Sequence, residues 1–139
     1  MLIRPAAVED LPAVAAMNLQ LIRDEGHRNP MQEPELLARL QGWLLTDYQA
    51  AVFSEESQTI GYALYRTEPE HIYLRQFFVR PEYRRKGLGR SAFQWLMKND
   101  WNSRRIRLDV LVGNAAGRAF WTSLGFSEYC VTMELELAD

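Results

Sequence analysis

A single cysteine, Cys130, and only two histidines, His27 and His71, occur in 139 residues. One thiol excludes an intramolecular disulfide and a cysteine-based zinc site, and two imidazoles are too few for most metal clusters, so no metal is expected. Long apolar runs are also missing. Asp, Glu or Arg interrupts every hydrophobic stretch before the roughly 20 residues that a membrane span needs. The opening residues, MLIRPAAVEDL, lack a basic segment followed by an apolar signal core. The expected location is therefore the cytoplasm, with no membrane partner. Length leaves room for one domain at typical sizes of about 100–150 residues. A composition 47% hydrophobic and 24% charged is ordinary for a globular protein and excludes disordered and fibrous classes.

What is present is unevenly distributed. Residues 1–70 carry 11 acidic and 5 basic side chains, net −6, whereas 71–139 carry 7 acidic and 11 basic, net +4. The second half is the better place for an anionic ligand. Six basic residues (Arg75, Arg80, Arg84, Arg85, Lys86, Arg90) against Glu82 make a patch of the kind that nucleic acid uses, but the overall charge of −2 argues against nucleic acid here.

Hydrophobic spacing predicts the elements. Leu2 to Arg4 reads as a short strand stopped by Pro5. Val8 to Glu25 repeats Leu11, Val14, Ala15, Leu19 and Ile22 at three and four, an amphipathic helix with Glu9 and Asp10 in its first turn. A turn-rich loop from Asp24 to Pro34 precedes a second helix carrying Leu36, Leu37, Leu40, Trp43 and Leu44. Ala50–Ser54 and Thr59–Thr67 form a hairpin, and His71–Val79 is the strongest strand, ended by Pro81. A helix with Ala92, Phe93, Leu96 and Met97, a strand from Ile106 to Val112, and a helix closed by Gly125 follow. The alternation in VTMELEL predicts a last, half-buried strand, with Cys130 as a small core residue. The order is that of an α/β fold with a mixed sheet covered by about four helices.

The segment Arg84-Arg85-Lys86-Gly87-Leu88-Gly89-Arg90 lies between a strand and a helix. Glycines let backbone N–H groups converge, and the new helix adds unpaired donors and the positive end of its dipole, so this turn suits a phosphate. A P-loop would need GxxxxGK[ST], which is absent. Gly87-Leu88-Gly89-Arg90-Ser91-Ala92 satisfies GxGxx[GA], and Asp109 lies 20 residues past Gly89, where a dinucleotide fold places its ribose acid. Against that reading, RPEYRRK separates Val79 from Gly87 and no second βαβ unit follows.

FFVRPEYRRKGLGR, followed by a helix, a strand, Asn114 and AFWTSLGF, resembles the GNAT superfamily of acyl-CoA N-acyltransferases over about residues 72–126. The resemblance implies a single N-acetyltransferase domain over 1–139, with 1–70 mainly on the acceptor side and 71–139 mainly on the acyl-CoA side. It implies acetyl-CoA as donor, a primary amine of a small molecule, amino acid or peptide as acceptor, and a homodimer as a candidate assembly. By resemblance the turn Arg84, Arg85, Lys86, Gly87, Leu88, Gly89, Arg90 holds the pyrophosphate of coenzyme A. The strand ending at Val79 splays from the one starting near Ile106 to admit the pantetheine arm, beside the backbone of Phe78 and Val79 and bordered by Asn114.

The chain departs from the family pattern twice. Trp121 stands where many members place a tyrosine that protonates the leaving thiolate, and an indole is not a useful acid near neutral pH. Arg75 stands where polyamine-acetylating relatives often carry a glutamate, and arginine does not act as a base. Replacement candidates are Tyr73 first, then Tyr129, with His71, Glu25, Glu68 or a water relay behind them. Glu25 and Arg75 are also the candidates for holding the acceptor, through its amine and through a carboxylate or amide. The competing reading is a non-catalytic acyl-CoA-binding module that lost its acid and base.

Overall fold

The computed structural model describes residues 1–138. The chain runs β1 (Leu2–Pro5), a 3-10 turn (Val8–Asp10), α1 (Leu11–Glu25), α2 (Glu33–Leu44), β2 (Tyr48–Glu55), β3 (Gln58–Thr67) and β4 (Ile72–Val79). A second 3-10 turn (Pro81–Tyr83), α3 (Leu88–Asn99), β5 (Ile106–Arg107) and α4 (Ala115–Ser123) follow. The sheet has five strands in the order β1-β2-β3-β4-β5. All pairs are antiparallel except β4 with β5.

Two helices cover each face. On one side Leu11, Val14, Met17 and Leu21 of α1 and Leu40 of α2 pack on Ala50, Val52, Tyr62, Leu64 and Phe78. On the other, Ala92, Phe93 and Leu96 of α3 pack on Ala51, Phe53, Ile60, Ala63, Ile72 and Leu74. Strand β3 is buried from Ile60 to Tyr65 because helices lie over both of its faces, which is why its sequence reads as nearly continuous apolar rather than alternating. Phe77, Phe93, Phe120, Trp121 and Phe126 form one aromatic cluster that fastens α4 to α3 and β4, with ring centroids 4.8–6.1 Å apart. Gly125 (φ 101°) closes α4 as expected, its N–H bonding to Thr122 and that of Phe126 to Trp121.

Three sequence expectations shift. The first helix opens as a 3-10 turn, and Asp10 leaves the helical dipole to bind Arg4 through both carboxylate oxygens (2.7 and 2.9 Å) and to accept from the Ala7 N–H at 2.6 Å. The strand expected over Ile106–Val112 shrinks to Ile106–Arg107, because its partner β4 diverges after Tyr73. The last strand does not form. Among the described residues no backbone group of 127–138 bonds to another backbone group, and Tyr129, Val131, Met133, Leu135 and Leu137 are all exposed. Cys130 is consequently exposed rather than in the core.

The Arg4 hydrogen bond lowers the Asp10 pKa against the opposing effect of burial. A lowered carboxylate pKa stabilises the fold above the ordinary Asp value near 4, and this stabilisation is lost as pH falls through the folded value. Asp10→Ala is expected to cost about 1–2 kcal/mol near neutral pH by urea unfolding, and less as pH falls below the ordinary Asp range.

Candidate active site

The wedge between β4 and β5 opens where their pairing ends. The strands pair at Ile72 with Ile106 and at Tyr73 with Arg107, and then separate. Just past that point β4 holds an extra residue. Leu64 pairs with Gln76 but Tyr65 with Leu74, so Arg75 is bulged out of register. The bulge leaves Tyr73, Arg75, Gln76 and Phe78 facing α1 and α2, while Leu74 and Phe77 face α3 and α4. Tyr73 and Arg75 thus share a face, as two-residue spacing predicts, and the bulge opens the edge of β4 beyond them.

The wedge floor is lined by Leu21, Glu25, Arg75, Gln76, Asp109 and Trp121 around a space of about 30 Å³, room for one water molecule. Burial and then the neighbouring Asp24 charge raise the Glu25 pKa. Tyr73 donates its hydroxyl to Asp109 Oδ2 at 2.8 Å across the gap, and burial with that hydrogen bond pushes its pKa up to about 12. Sequence spacing offered Asp109 only as a ribose acid. Its role as the partner of Tyr73 follows from the parallel register that places it two residues beyond Arg107. A larger open depression of about 560 Å³, lined by Glu70, Trp101 and Arg104 among others, lies at the start of β4 and β5, away from the glycine turn.

At the other end of β4 the turn 84–90 enters α3. Arg85 (φ 63°) and Gly87 (φ 75°) are both left-handed, which turns the chain sharply ahead of α3. Among the described residues the N–H groups of 85–90 find no hydrogen-bond partner, and Ser91 is the first to bond back, to Gly87. A Cβ on Gly89 would sit 3.3 Å from Phe120, so a glycine there lets α4 pack against the head of α3. Six free donors at the positive end of a helix make a cradle whose chemistry fits a pyrophosphate.

The arginines divide. Arg84 donates to the Val79 carbonyl at 2.6 Å and to Asp24 of α1 at 2.8 Å, and its guanidinium lies 5.2 Å from the Phe78 ring centroid. Arg90 donates to the Ser123 carbonyl and hydroxyl, both at 3.1 Å, tying α3 to α4. Among the described residues Arg85 makes no side-chain hydrogen bond or salt bridge, and the Lys86 ammonium lies 5.7 Å from the Tyr83 ring centroid. Leu88 opens α3 with its side chain packed on the core. Asn114 caps α4, its Oδ1 accepting from the Gly117 N–H at 3.0 Å. Tyr129 stands apart from the wedge, 77% exposed, with the Arg107 guanidinium 4.5 Å from its ring centroid.

On the face covered by α1 and α2, Trp43 lies against two guanidiniums, Arg39 and Arg75, each 4.4 Å from its ring centroid. Among the described residues neither has a carboxylate partner. Arg39 donates to Asn18 at 3.2 Å and Arg75 to the Tyr48 hydroxyl at 3.3 Å. Burial, and then the charge of Arg75, lower the Arg39 pKa. Sequence reasoning missed Arg39. The available signal was its four-residue spacing to Trp43, which puts both on one face of α2.

The sequence model of the Acetyltransferase (GNAT) family matches residues 16–126. The chain belongs to the GNAT acetyltransferase family. A possible acetyltransferase from Clostridium difficile 630 shares the fold at TM-score 0.80 and 23% identity, over 99% of this chain and 98% of that one. A mutant protein from Bacillus halodurans matches at TM-score 0.78 and 26% identity, over 99% and 100%. A predicted acetyltransferase with acetyl-CoA, from Clostridium acetobutylicum, matches at TM-score 0.75 and 19% identity, over 97% and 95%. No curated protein matches the chain. The GNAT fold is thus the single-domain α/β arrangement described above, with its parallel β4-β5 pair at the wedge. Among the described residues no helix is long and apolar enough to cross a membrane, and no three His, Cys, Asp or Glu side chains group to hold a metal.

Proposed function

We propose that the chain transfers the acetyl group of acetyl-CoA to a primary amine of a small molecule, amino acid or peptide, by direct attack of the amine while both substrates are bound. The observation that carries this reading is the run of free amides from Arg85 to Arg90 at the head of α3, beside a β4 edge that β5 leaves unpaired. When bound, acetyl-CoA supplies an activated carbonyl and a thiolate leaving group. The chain then has to bind, align and handle protons.

In this reading the 85–90 amides take the pyrophosphate, with Arg85 and Lys86 neutralising it, and the open edge at Phe78 and Val79 faces the pantetheine amides, bordered by Asn114. Arg84 shapes the wedge by bridging Val79 to α1. Arg85→Ala is accordingly expected to weaken coenzyme A by about 1–3 kcal/mol in calorimetry, and Arg84→Ala by less. A dephospho-coenzyme lacking the 3′-phosphate should report the same Arg85 loss.

Glu25 and Arg75 would hold the acceptor. Glu25 faces the amine and takes its proton, directly or through the water-sized space beside Asp109. Arg75, with Arg39 behind Trp43, is a cation without a carboxylate and suits an acid or amide next to that amine. Because the Glu25 pKa is raised, kcat/KM should climb with pH through a range above that of ordinary carboxylates, and Glu25→Gln should remove that limb from the profile.

The module reading has one observation in its favour: Trp121 fills the tyrosine position as part of the aromatic cluster, without an acidic hydroxyl. Thiol release from acetyl-CoA across a panel of amines, amino acids and peptides separates the two. Turnover with an acceptor establishes the transferase, whereas tight coenzyme A binding with neither transfer nor hydrolysis establishes the module.

A further inference from the structure

On the sheet face that α1 and α2 cover, the guanidiniums of Arg39, Arg66 and Arg75 are interleaved with the rings of Trp43, Tyr48 and Tyr73. Among the described residues only one of the three charges is balanced. Arg66, 5.2 Å from the Tyr48 ring centroid and 5.1 Å from that of Tyr73, pairs with Glu68. Arg39 and Arg75 share Trp43 and meet no carboxylate.

The neutral groups around these two do not make up the deficit. The Tyr48 hydroxyl accepts from Arg66 at 3.2 Å and from Arg75 at 3.3 Å, which uses both of its lone pairs and balances neither charge. Arg39 gives one donor to Asn18, and its Nε is buried without a partner among the described residues. A buried donor left unpaired and two like charges set against one ring both cost stability. Stacking on Trp43 needs only one arginine, so the second points to something that is held there.

Both cations belong to the surroundings of the wedge floor. Arg75 lines it with Glu25 and Gln76. Tyr62, fully buried beside it, donates to Gln76 Oε1 at 2.8 Å; burial and then the Glu25 charge push its pKa up, while the Arg39 charge pulls it down. Glu25 and Arg39 therefore act on one tyrosine. Because Glu25 and Arg75 line the same small space, the groups they hold sit on neighbouring atoms, as the amine and α-carboxylate of an amino acid do. Arg39 does not line that space, which leaves it for a group farther along the acceptor.

We propose that the acceptor is an α-amino acid with an acidic side chain, its α-carboxylate held by Arg75 and its side-chain carboxylate by Arg39. The inference rests on the acetyl-transfer reading and adds to it a second negative charge and the residue that selects it. One carboxylate then meets each unbalanced guanidinium. A peptide N-terminus brings an amide in place of the α-carboxylate, and a polyamine brings more positive charge to two cations, so both are disfavoured. Glutamine and asparagine keep the shape of the acids and lose the charge that Arg39 reads.

Initial rates of thiol release from acetyl-CoA, with glutamate, aspartate, their side-chain amides, their α-amides and spermidine as acceptors, test this. For the better of the two acids, kcat/KM should exceed that of either of its amides by about 10–100-fold, the worth of a charge-assisted hydrogen bond. Arg39→Gln should erase the preference over the side-chain amide and keep that over the α-amide, and Arg75→Gln should do the reverse, with thermal melts as the folding check. Equal use of an acid and its side-chain amide, preference for spermidine, or an Arg39→Gln chain that still tells glutamate from glutamine overturns the proposal and leaves acetyl transfer standing. If no acceptor releases thiol, the transfer reading fails, and calorimetry of glutamate and glutamine into the chain saturated with coenzyme A decides the proposal on its own. Tighter binding of glutamate that Arg39→Gln removes supports the paired carboxylate sites, whereas equal binding or none overturns them.

Discussion

Gly87→Glu is expected to abolish measurable coenzyme A binding while leaving a cooperatively folded chain. Gly87 has φ 75°, and a Cβ built there meets nothing within 4 Å. The substitution therefore costs the strain of a left-handed non-glycine residue, about 1–2 kcal/mol, but no steric clash in the core. The new carboxylate stands among the free amides of 85–90, where it would repel a pyrophosphate and compete for the same donors. Gly87→Ala separates the contributions: it carries the backbone strain without the charge, and should retain most of the binding. Calorimetric titration of both variants, with thermal melts as the folding check, reads the difference. A folded Gly87→Glu chain with unchanged affinity would move the phosphate site elsewhere.

The parts of this molecule that could be read from its sequence are those whose cause is local. Helix α1 follows from its three-and-four spacing, the hairpin β2-β3 from a polar EESQ turn between apolar runs, and the cradle from glycines placed between a strand and a helix. What escaped was tertiary. VTMELEL has the alternation of a half-buried strand, but alternation states only that one face prefers burial, not that this chain supplies the cover. The strand 106–112 reads as seven residues because Leu108, Val110 and Val112 suit a sheet, yet pairing ends at Arg107 where β4 departs. The basic turn reads as four equivalent cations, and the fold assigns Arg84 to Asp24 and Arg90 to Ser123, leaving Arg85 and Lys86 for a ligand. The bulge at Arg75 has no sequence signature of its own, since no Gly or Pro marks it.

Tyr73→Phe is expected to lower turnover by about 10²–10⁴-fold, the usual size of a lost acid–base contribution, with little change in coenzyme A affinity. Tyr73 sits at the last paired position before the wedge opens, so its hydroxyl is placed by the sheet rather than by a loop. Its partner is Asp109 at 2.8 Å, and a pKa near 12 keeps the phenol protonated across the working range. The phenol gives its proton to the thiolate as the C–S bond breaks and regains one from water, while Asp109 accepts from the hydroxyl and orients it. Two consequences distinguish this from a structural role. Asp109→Ala removes the acceptor that orients the hydroxyl, so it should lower kcat with little change in coenzyme A affinity, and the double variant with Tyr73→Phe should be little worse than Tyr73→Phe alone. Trp121→Tyr, which restores a phenol at the position relatives use, should recover part of the activity lost in Tyr73→Phe. Wild-type turnover by Tyr73→Phe on an acceptor that the natural chain acetylates would remove Tyr73 from the reaction and leave Glu25 with a bound water as the proton path.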